Sequence, residues 1–176
     1  MNHLDLPFTT QDIPSREEIR QQNERLQLAL PETGLHAVLR LMRVGNDLQA
    51  AVGAHIQEHG ISMARFDILA HLLRADDHQL TPSVLADRAG VTRATVTGLI
   101  DGLEKSLWVR REVHPNDRRS VIVELTEEGI AFLRGILPDH AEYITRMVRD
   151  IPDEDLLQLE RTLARLEKNL EALRNA

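Results

Sequence analysis

The sequence contains no cysteine, so it can form no disulfide and offers no thiolate for metal binding, covalent catalysis or redox sensing. Aromatic residues are scarce, whereas Leu, Ala, Val and Ile supply most of the apolar side chains, a balance that favours helices packed on helices. No apolar run approaches the ~18–20 residues of a membrane span, and no secretory signal opens the chain. We expect a mainly α-helical cytoplasmic protein without membrane contact.

Features of an enzyme are equally scarce. No glycine loop suited to cradle a phosphate and no cluster of metal ligands is present, and the carboxylates fall on helix faces and caps, where solvation explains them. His55 and His59 share one helical face, but two ligands do not make a metal site, and we expect them to be solvated near a helix end. We expect no catalysis, cofactor or metal.

Charge is unevenly distributed along the chain. The formal net charge is −7, which argues against binding nucleic acid over the whole surface but not over a local patch. Residues 88–119 contain seven cationic and four anionic side chains. The middle of this acidic chain is therefore basic.

Capping and periodicity predict a series of helices. Ser15 and Glu18 have the spacing of a capping box, so a first helix is expected over 16–30, broken by Pro31 and Gly34. Further helices are expected over 35–60, from Ser62, over 81–89, over 92–106, over 126–150 with a kink or break at Pro138, and from Pro152 onward.

The two short helices have the spacing of a helix-turn-helix. Ala86 allows close approach of the helices, Gly90 supplies the freedom that a short turn needs, and Leu85, Val96 and Leu99 are expected to fill the angle between them. Such a match by itself is moderate evidence.

The only strand signal follows directly, in "WVRREV" and "SVIVEL" around the turn "HPND". A helix-turn-helix followed by a basic two-stranded β ribbon is the arrangement of a winged helix. We expect Arg118 and Arg119 at the ribbon tip to enter a DNA minor groove, with Asp117 orienting one of them. The alternative is a solvated hairpin tip that pairs with Asp117 and Glu112.

The second short helix would then be the recognition helix in the major groove. Its expected contact residues are Thr92, Arg93, Thr95 and Thr97. Thr92 also has the position of an ordinary N-cap, and the two roles coexist because caps and phosphates both use the free amides of a helix start.

The last helix carries a leucine heptad seam, the pattern of helices that pack lengthwise. It can lie on the core of its own domain or form a subunit interface, and we favour the interface. The seam residues are Leu156, Leu159, Leu163, Leu166, Leu170 and Leu173.

The stretch "LADRAGVTRATVTGLIDGLEKSLWVRREVHPNDRRSVIVELTEEG" resembles the MarR family of bacterial transcription regulators. Its wing signature of Asp, any residue and Arg, followed by an apolar strand and Leu-Thr-x-x-Gly, is met by Asp117, Arg119, Leu125, Thr126 and Gly129. The resemblance extends from about residue 35 to the C-terminus. It implies dimerisation helices over 34–60 and 126–176, a DNA-binding lobe over 61–125, and an N-terminal arm and extra helix over 1–33.

The resemblance further implies a homodimer that binds a pseudo-palindromic double-stranded operator, usually as a repressor. Many members are released by a small, aromatic or phenolic and often anionic, effector. Arg40, Arg43 and His71 are the candidate effector contacts, with surface or interface salt bridges as the alternative. A helical protein-interaction module that uses a winged helix as scaffold is the competing function.

Three positions depart from the usual pattern. Leu107 stands where the family usually has glycine between recognition helix and wing, and a left-handed leucine would cost about 1–2 kcal/mol. Gly98 and Gly102 lie inside the recognition helix, each disfavoured by about 1 kcal/mol relative to alanine. We interpret both glycines as points of close approach, with simple tolerance as the alternative.

Overall fold

The computed structural model describes residues 12–114 and 117–175, without the side chains of residue 114 and residues 117–120. These residues form a mainly helical fold with one small antiparallel sheet. Its helices are α1 (Arg16–Leu26), α2 (Glu32–Glu58), α3 (Met63–Leu73), α4 (Pro82–Ala89), α5 (Arg93–Lys105), α6 (Glu127–Val148) and α7 (Asp153–Arg174). Its strands are β1 (Gln79–Leu80), β2 (Val109–His114) and β3 (Asp117–Leu125), and a 3₁₀ turn spans Asp76–His78.

Helix α1 begins as expected and ends early. Both hydrogen bonds of the Ser15–Glu18 capping box are present, but Gln27 adopts a left-handed conformation and ends the helix at Leu26 rather than near residue 30. The Asn23 side chain replaces the missing turn, since it both donates to and accepts from the backbone of Leu30. A side chain that bonds main-chain groups in this way competes with the helical ladder.

Two expected interruptions differ in the structure: the break between α1 and α2 is present at Pro31 but does not include Gly34, and no break occurs at Pro138. Gly34 lies inside α2, which begins at Glu32 directly after Pro31. Helix α6 runs without a break through Pro138. A proline removes one backbone hydrogen bond, and in a helix of 22 residues the bonds of the neighbouring turns are enough to keep the helix continuous.

The sheet has the strand order β1-β3-β2, with antiparallel pairs throughout. The β ribbon is formed by β2 and β3 as expected, with an irregular register between Val113 and His114. Strand β1 is an addition, because sequence analysis found strands only in the ribbon. Its two residues pair with Glu124 and Val123, and two residues are too few to show an alternating pattern.

The described residues fall into two compact units that divide after Gly129. In the first unit, buried side chains of α3, α4 and α5 meet the inner face of the sheet. The fully buried members are Ile68, Leu69, Leu72, Leu85, Val96, Ile100, Leu103 and Val123. In the second unit no residue of α7 is buried. No described helix is both long and apolar enough to cross a bilayer.

The end of α5 is a Schellman turn, in which the last free helix carbonyls accept bonds from beyond the helix. The Leu107 amide donates to the Glu104 carbonyl at 2.9 Å, and the Trp108 amide donates to the Leu103 carbonyl at 3.1 Å. Leu107 has a φ of +61° and is 68% exposed. The residue that replaces the family's usual glycine therefore adopts the glycine's left-handed conformation.

The same turn is tied to the start of α6. The Thr126 hydroxyl donates to the Leu107 carbonyl at 2.7 Å and accepts from the Gly129 amide at 3.0 Å, while the Thr126 amide donates to the Trp108 carbonyl at 3.0 Å. A Cβ on Gly129 would collide with that Trp108 carbonyl. The Leu-Thr-x-x-Gly signature is thus a structural joint.

We predict that Leu107→Gly raises the free energy of unfolding by about 1 kcal/mol, because it removes left-handed strain of about 1–2 kcal/mol and part of that gain is offset by the greater chain entropy of glycine in the unfolded state. Denaturant titration measures the change. Ser106→Gly is the matched control, since Ser106 is right-handed with a φ of −85° and should gain nothing. A neutral or destabilising Leu107→Gly would contradict the strain argument.

Candidate nucleic-acid interface

Helices α4 and α5 form the helix-turn-helix. Thr81 and Thr92 cap them, each side-chain oxygen accepting from the amide three residues on. Gly90 ends α4 with a φ of +64°, a conformation that costs glycine little, and the Val91 amide bonds back to Ala86. Every local signal for this turn is therefore present in the structure.

Helix α5 has one buried face and one exposed face. Val96, Ile100 and Leu103 are fully buried, whereas Leu99, which we expected in the core, is only half-buried. The predicted contact residues are all exposed: Thr92, Arg93, Thr95 and Thr97. They cover the first turns of the helix, the part that a recognition helix places against base edges.

Hydrogen bonds within the chain already orient all four of these side chains. The Arg93 guanidinium donates to the Ser83 hydroxyl of α4 at 2.9 Å, the hydroxyls of Thr92 and Thr95 lie 2.9 Å apart, and the Thr97 hydroxyl donates to the Arg93 carbonyl. Ser83 was missed by sequence analysis, although its place in the first turn of α4 was a usable signal.

The wing arginines fall where side chains are not described. The backbone of Arg118 and Arg119 belongs to β3, which begins at Asp117, so these residues lie within the strand next to the turn rather than in the turn itself. The reason is that pairing begins at His114 and Asp117, farther out than the apolar alternation indicated. The side chains of Asp117, Arg118 and Arg119 lie outside the described residues.

Of the five cations between residues 88 and 119 whose side chains the structure describes, two are paired within the molecule. Arg110 donates twice to Glu124 across the ribbon, at 3.0 and 2.9 Å. These bonds raise the pKa of its guanidinium above the ordinary value for arginine. Arg111 donates to Asp101 and Glu104 of α5. Within the described part of the chain, the cations of this region without an ion pair are Arg88, Arg93 and Lys105.

The candidate effector residues lie in two places. Arg40 and Arg43 line a groove of about 490 Å³ with His36, Val44, Asp47, Asp12 and Ile13, and Arg43 lies 3.8 Å from Asp47. His71 does not line this groove, nor does it line a second, apolar pocket between α2 and α3 that is described below. Its Nδ1 lies 3.2 Å from an Arg74 nitrogen. Burial, reinforced by Arg74, lowers the pKa of His71.

The apolar pocket has a volume of about 490 Å³ and is lined by Leu48, Gln49, Val52, Met63 and Asp67. Burial raises the pKa of the Asp67 carboxyl, and the nearby His71 and Arg74 oppose that shift. No sequence pattern predicts this pocket, because its lining comes from two helices whose apolar residues have the spacing of ordinary core positions.

His55 and His59, at the C-terminal end of α2, are not solvated as we expected. His55 is buried and His59 is half-buried, and their rings meet edge to face with centroids 5.2 Å apart. The helical spacing that brings their rings together was visible in the sequence. Their burial was not, because it depends on contacts made by other parts of the fold.

Comparison with known proteins agrees with this geometry. The MarR family profile matches residues 59–120. The repressor YetL of Bacillus subtilis is 42% identical over 106 residues, which cover 57% of this chain and 64% of YetL, so the match spans less than two thirds of that relative. The regulator PecS of Dickeya dadantii is 31% identical over 131 residues, which cover 74% of this chain and 79% of PecS.

Among solved structures, the MarR family regulator Sco3205 of Streptomyces coelicolor, crystallised in complex with DNA, superposes with a TM-score of 0.71. The two chains are 26% identical, and the match covers 81% of this chain and 93% of Sco3205.

The two glycines of α5 differ in their surroundings. A Cβ on Gly102 would collide with the guanidinium of Arg65, whereas a Cβ on Gly98 would meet no described atom within 4 Å. Close approach within the chain therefore explains Gly102. Gly98 lies on the exposed face between the threonines, so its missing side chain leaves room for a partner from outside.

We predict that Gly98→Ala raises the free energy of unfolding by about 1 kcal/mol through helix propensity yet weakens DNA binding about tenfold, equivalent to ~1.4 kcal/mol, because the methyl group occupies groove-facing space. Gly102→Ala is the control on the same helix. It should gain less stability, since Arg65 must move, and should leave DNA binding nearly intact. Melting and fluorescence anisotropy measure the two effects, and unchanged affinity in Gly98→Ala would assign Gly98 to simple tolerance.

Proposed function

The chain belongs to the MarR family of transcription regulators, and on that premise we propose that it is a homodimeric repressor of a pseudo-palindromic operator, released by a small effector. The observation that carries the proposal is the exposed, hydroxyl-rich first half of α5 beside a β ribbon whose sequence includes two adjacent arginines. We further propose that the protein works in the cytoplasm and catalyses no reaction, since a repressor acts by occupying DNA.

In the DNA complex that we propose, α5 enters the major groove. The Arg93 guanidinium has the geometry to donate twice to a guanine edge, and threonine hydroxyls bond several base edges while their methyl groups contact thymine methyls. The bond from Arg93 to Ser83 holds the guanidinium at the helix start until it is exchanged for a base. Arg118 and Arg119 reach the minor groove, with Asp117 orienting one of them.

The dimer that we propose uses the leucine seam of α7. Within the single chain Leu159 and Leu170 remain 50% and 45% exposed and Leu173 is 75% exposed. A 22-residue helix with no buried residue leaves an apolar stripe in contact with water, which is costly in a soluble protein. A second copy of the chain covers such a stripe symmetrically.

For the effector we propose a small anionic aromatic compound. Arg40 and Arg43 share one groove, and a guanidinium binds a carboxylate through two parallel hydrogen bonds. The separate position of His71, beside Arg74, makes it a weaker candidate than the two arginines. The apolar pocket of α2 and α3 is the alternative place for the aromatic ring.

The DNA-binding proposal is tested by selecting bound fragments of the source genome with the purified protein. We predict enrichment of a two-fold-related site with half-sites about one helical turn, roughly 10 base pairs, apart. Arg119→Ala should cost about 1–3 kcal/mol of binding free energy and lower the salt dependence by about one released counterion, while the dimer persists.

Arg25→Ala is the control. It removes the same single positive charge from an exposed position of α1, and this variant should bind the selected site as the parent does. If Arg119→Ala binds as tightly as the parent, the wing assignment is wrong. If the parent enriches no site even at low salt, the hypothesis that the protein is a protein-interaction module becomes the better supported one.

The dimer proposal is tested on α7. We predict that Leu159→Lys weakens self-association at least about 100-fold, or ~2.7 kcal/mol, because it buries a charge in the seam. Leu157→Lys is the control, since Leu157 is equally exposed at 53% but lies outside the heptad positions. Sedimentation over a concentration series gives both dissociation constants, and equal effects of the two variants would exclude the seam as the interface.

A further inference from the structure

Arg111 of the first ribbon strand is bonded to the recognition helix α5 through both its side chain and its backbone. Its guanidinium donates to Asp101 at 2.6 Å and to Glu104, and a third, longer bond of 3.5 Å reaches the Thr97 carbonyl. The Arg111 backbone amide also donates to Glu104, at 3.2 Å. Four bonds thus join one strand residue to three residues on successive turns of α5.

Arg111 lies where the ribbon leaves the body of the protein. Alternate residues of β2 share its inner face: Val109 is 3% exposed, the Arg111 side chain 31%, and Val113 62%. Inward from Arg111, apolar burial holds the strand. Outward from Arg111, the inner face of β2 is open to solvent, so the direction of the ribbon is set at this residue.

We propose that Arg111 is a positioning residue for DNA binding: it fixes the angle between the β ribbon and α5, so that both reach DNA at once, and does not itself contact DNA. This inference rests on the proposed function. A planar guanidinium held at two edges is a suitable device, because its bidentate bonds restrict orientation as well as distance.

Two features argue against a direct phosphate contact. The trio of Arg111, Asp101 and Glu104 has a formal charge of −1, which repels phosphate, and three of the five N–H groups of the Arg111 guanidinium already bond Asp101, Glu104 and Thr97. The assignment also explains why a recognition helix carries two carboxylates on successive turns. They hold the wing instead of facing the DNA.

Arg110 provides a matched control. It is the neighbouring residue, carries the same charge and also pairs with carboxylates, but its partners Glu124 and Glu112 belong to the ribbon itself. Arg110→Gln therefore removes the same charge from the same strand and leaves the link to α5 intact. Any purely electrostatic effect on DNA binding should appear equally in Arg110→Gln and Arg111→Gln.

The experiment measures binding to two labelled duplexes of equal length, the site selected by the parent protein and a random sequence, over a series of salt concentrations. Arg111→Gln should weaken binding to the selected site about 10- to 100-fold, because a preorganised ribbon avoids an ordering cost on binding. Binding to the random duplex should change less than about threefold and the salt slope should stay constant. Arg111→Lys should lie between, and Arg110→Gln near the parent.

An equal loss on both duplexes, together with a salt slope reduced by about one, would mean that Arg111 contacts phosphate and would overturn the proposal. So would parent-like binding by Arg111→Gln. Thermal melting identifies a variant that fails to fold, and Glu104→Gln then tests the same link from the α5 side.

A measurement without DNA separates failure of this inference from failure of the proposed function. In the free protein, Glu104→Ala should speed hydrogen exchange at the Arg111 amide and at its β2 neighbours about tenfold or more, since it removes about 1.4 kcal/mol or more of local protection. Glu112→Ala should not. Unchanged exchange overturns the link between Arg111 and α5 whatever the DNA results are. If exchange becomes faster but the parent protein selects no DNA site, the link is supported and the proposed DNA-binding function is wrong.

Discussion

The joint between Thr126 and the Leu107–Trp108 segment is the constraint on which the rest of the winged helix depends. One hydroxyl caps α6 and closes the turn after α5, and the adjoining amide holds the Trp108 carbonyl. Gly129 lets that carbonyl approach the helix. The end of α5, the start of the β ribbon and the first turn of α6 therefore meet at one set of hydrogen bonds.

The left-handed Leu107 shows what the joint demands of the chain. The Schellman turn requires a residue with positive φ, and the structure keeps that geometry at the cost of about 1–2 kcal/mol for a leucine. The bonds from Thr126 and the buried strand residues beyond Trp108 together exceed that cost. Tertiary contacts therefore override a local preference.

An acidic protein binds DNA only if its carboxylates are kept away from the phosphates. Here the acidic residues of α5 and the ribbon whose side chains are described are engaged with Arg110 and Arg111, while the exposed start of α5 presents hydroxyls and one arginine. Fewer cations are consequently available in this region than the seven counted from the sequence. Part of that count stabilises the lobe, and only the remainder is available to a nucleic acid.

Structural features that depend on three or four neighbouring residues were correctly predicted from the sequence. The capping box at Ser15, the caps at Thr81 and Thr92 and the turn at Gly90 all have their expected geometry. Errors arose where a competing local bond was not visible in the pattern, as at Asn23, or where a two-residue strand carried too little pattern. The predicted contact residues of α5 lie on its exposed face, because helical periodicity alone fixes which residues share a face.

The sequence by itself thus determined the order of the helices, the helix-turn-helix and the exposed face of α5, since each rests on neighbours within one or two helical turns. Only the tertiary structure decided which arginines are paired, that His55 is buried, and that residues of α2 line both the groove of Arg40 and Arg43 and the apolar pocket. The carboxylates of α5 that bond Arg111, and Glu124, which bonds Arg110 across the ribbon, lie 7 to 14 residues away along the chain. Such distances are set by how helix and strand fold back on each other, and no local pattern encodes them.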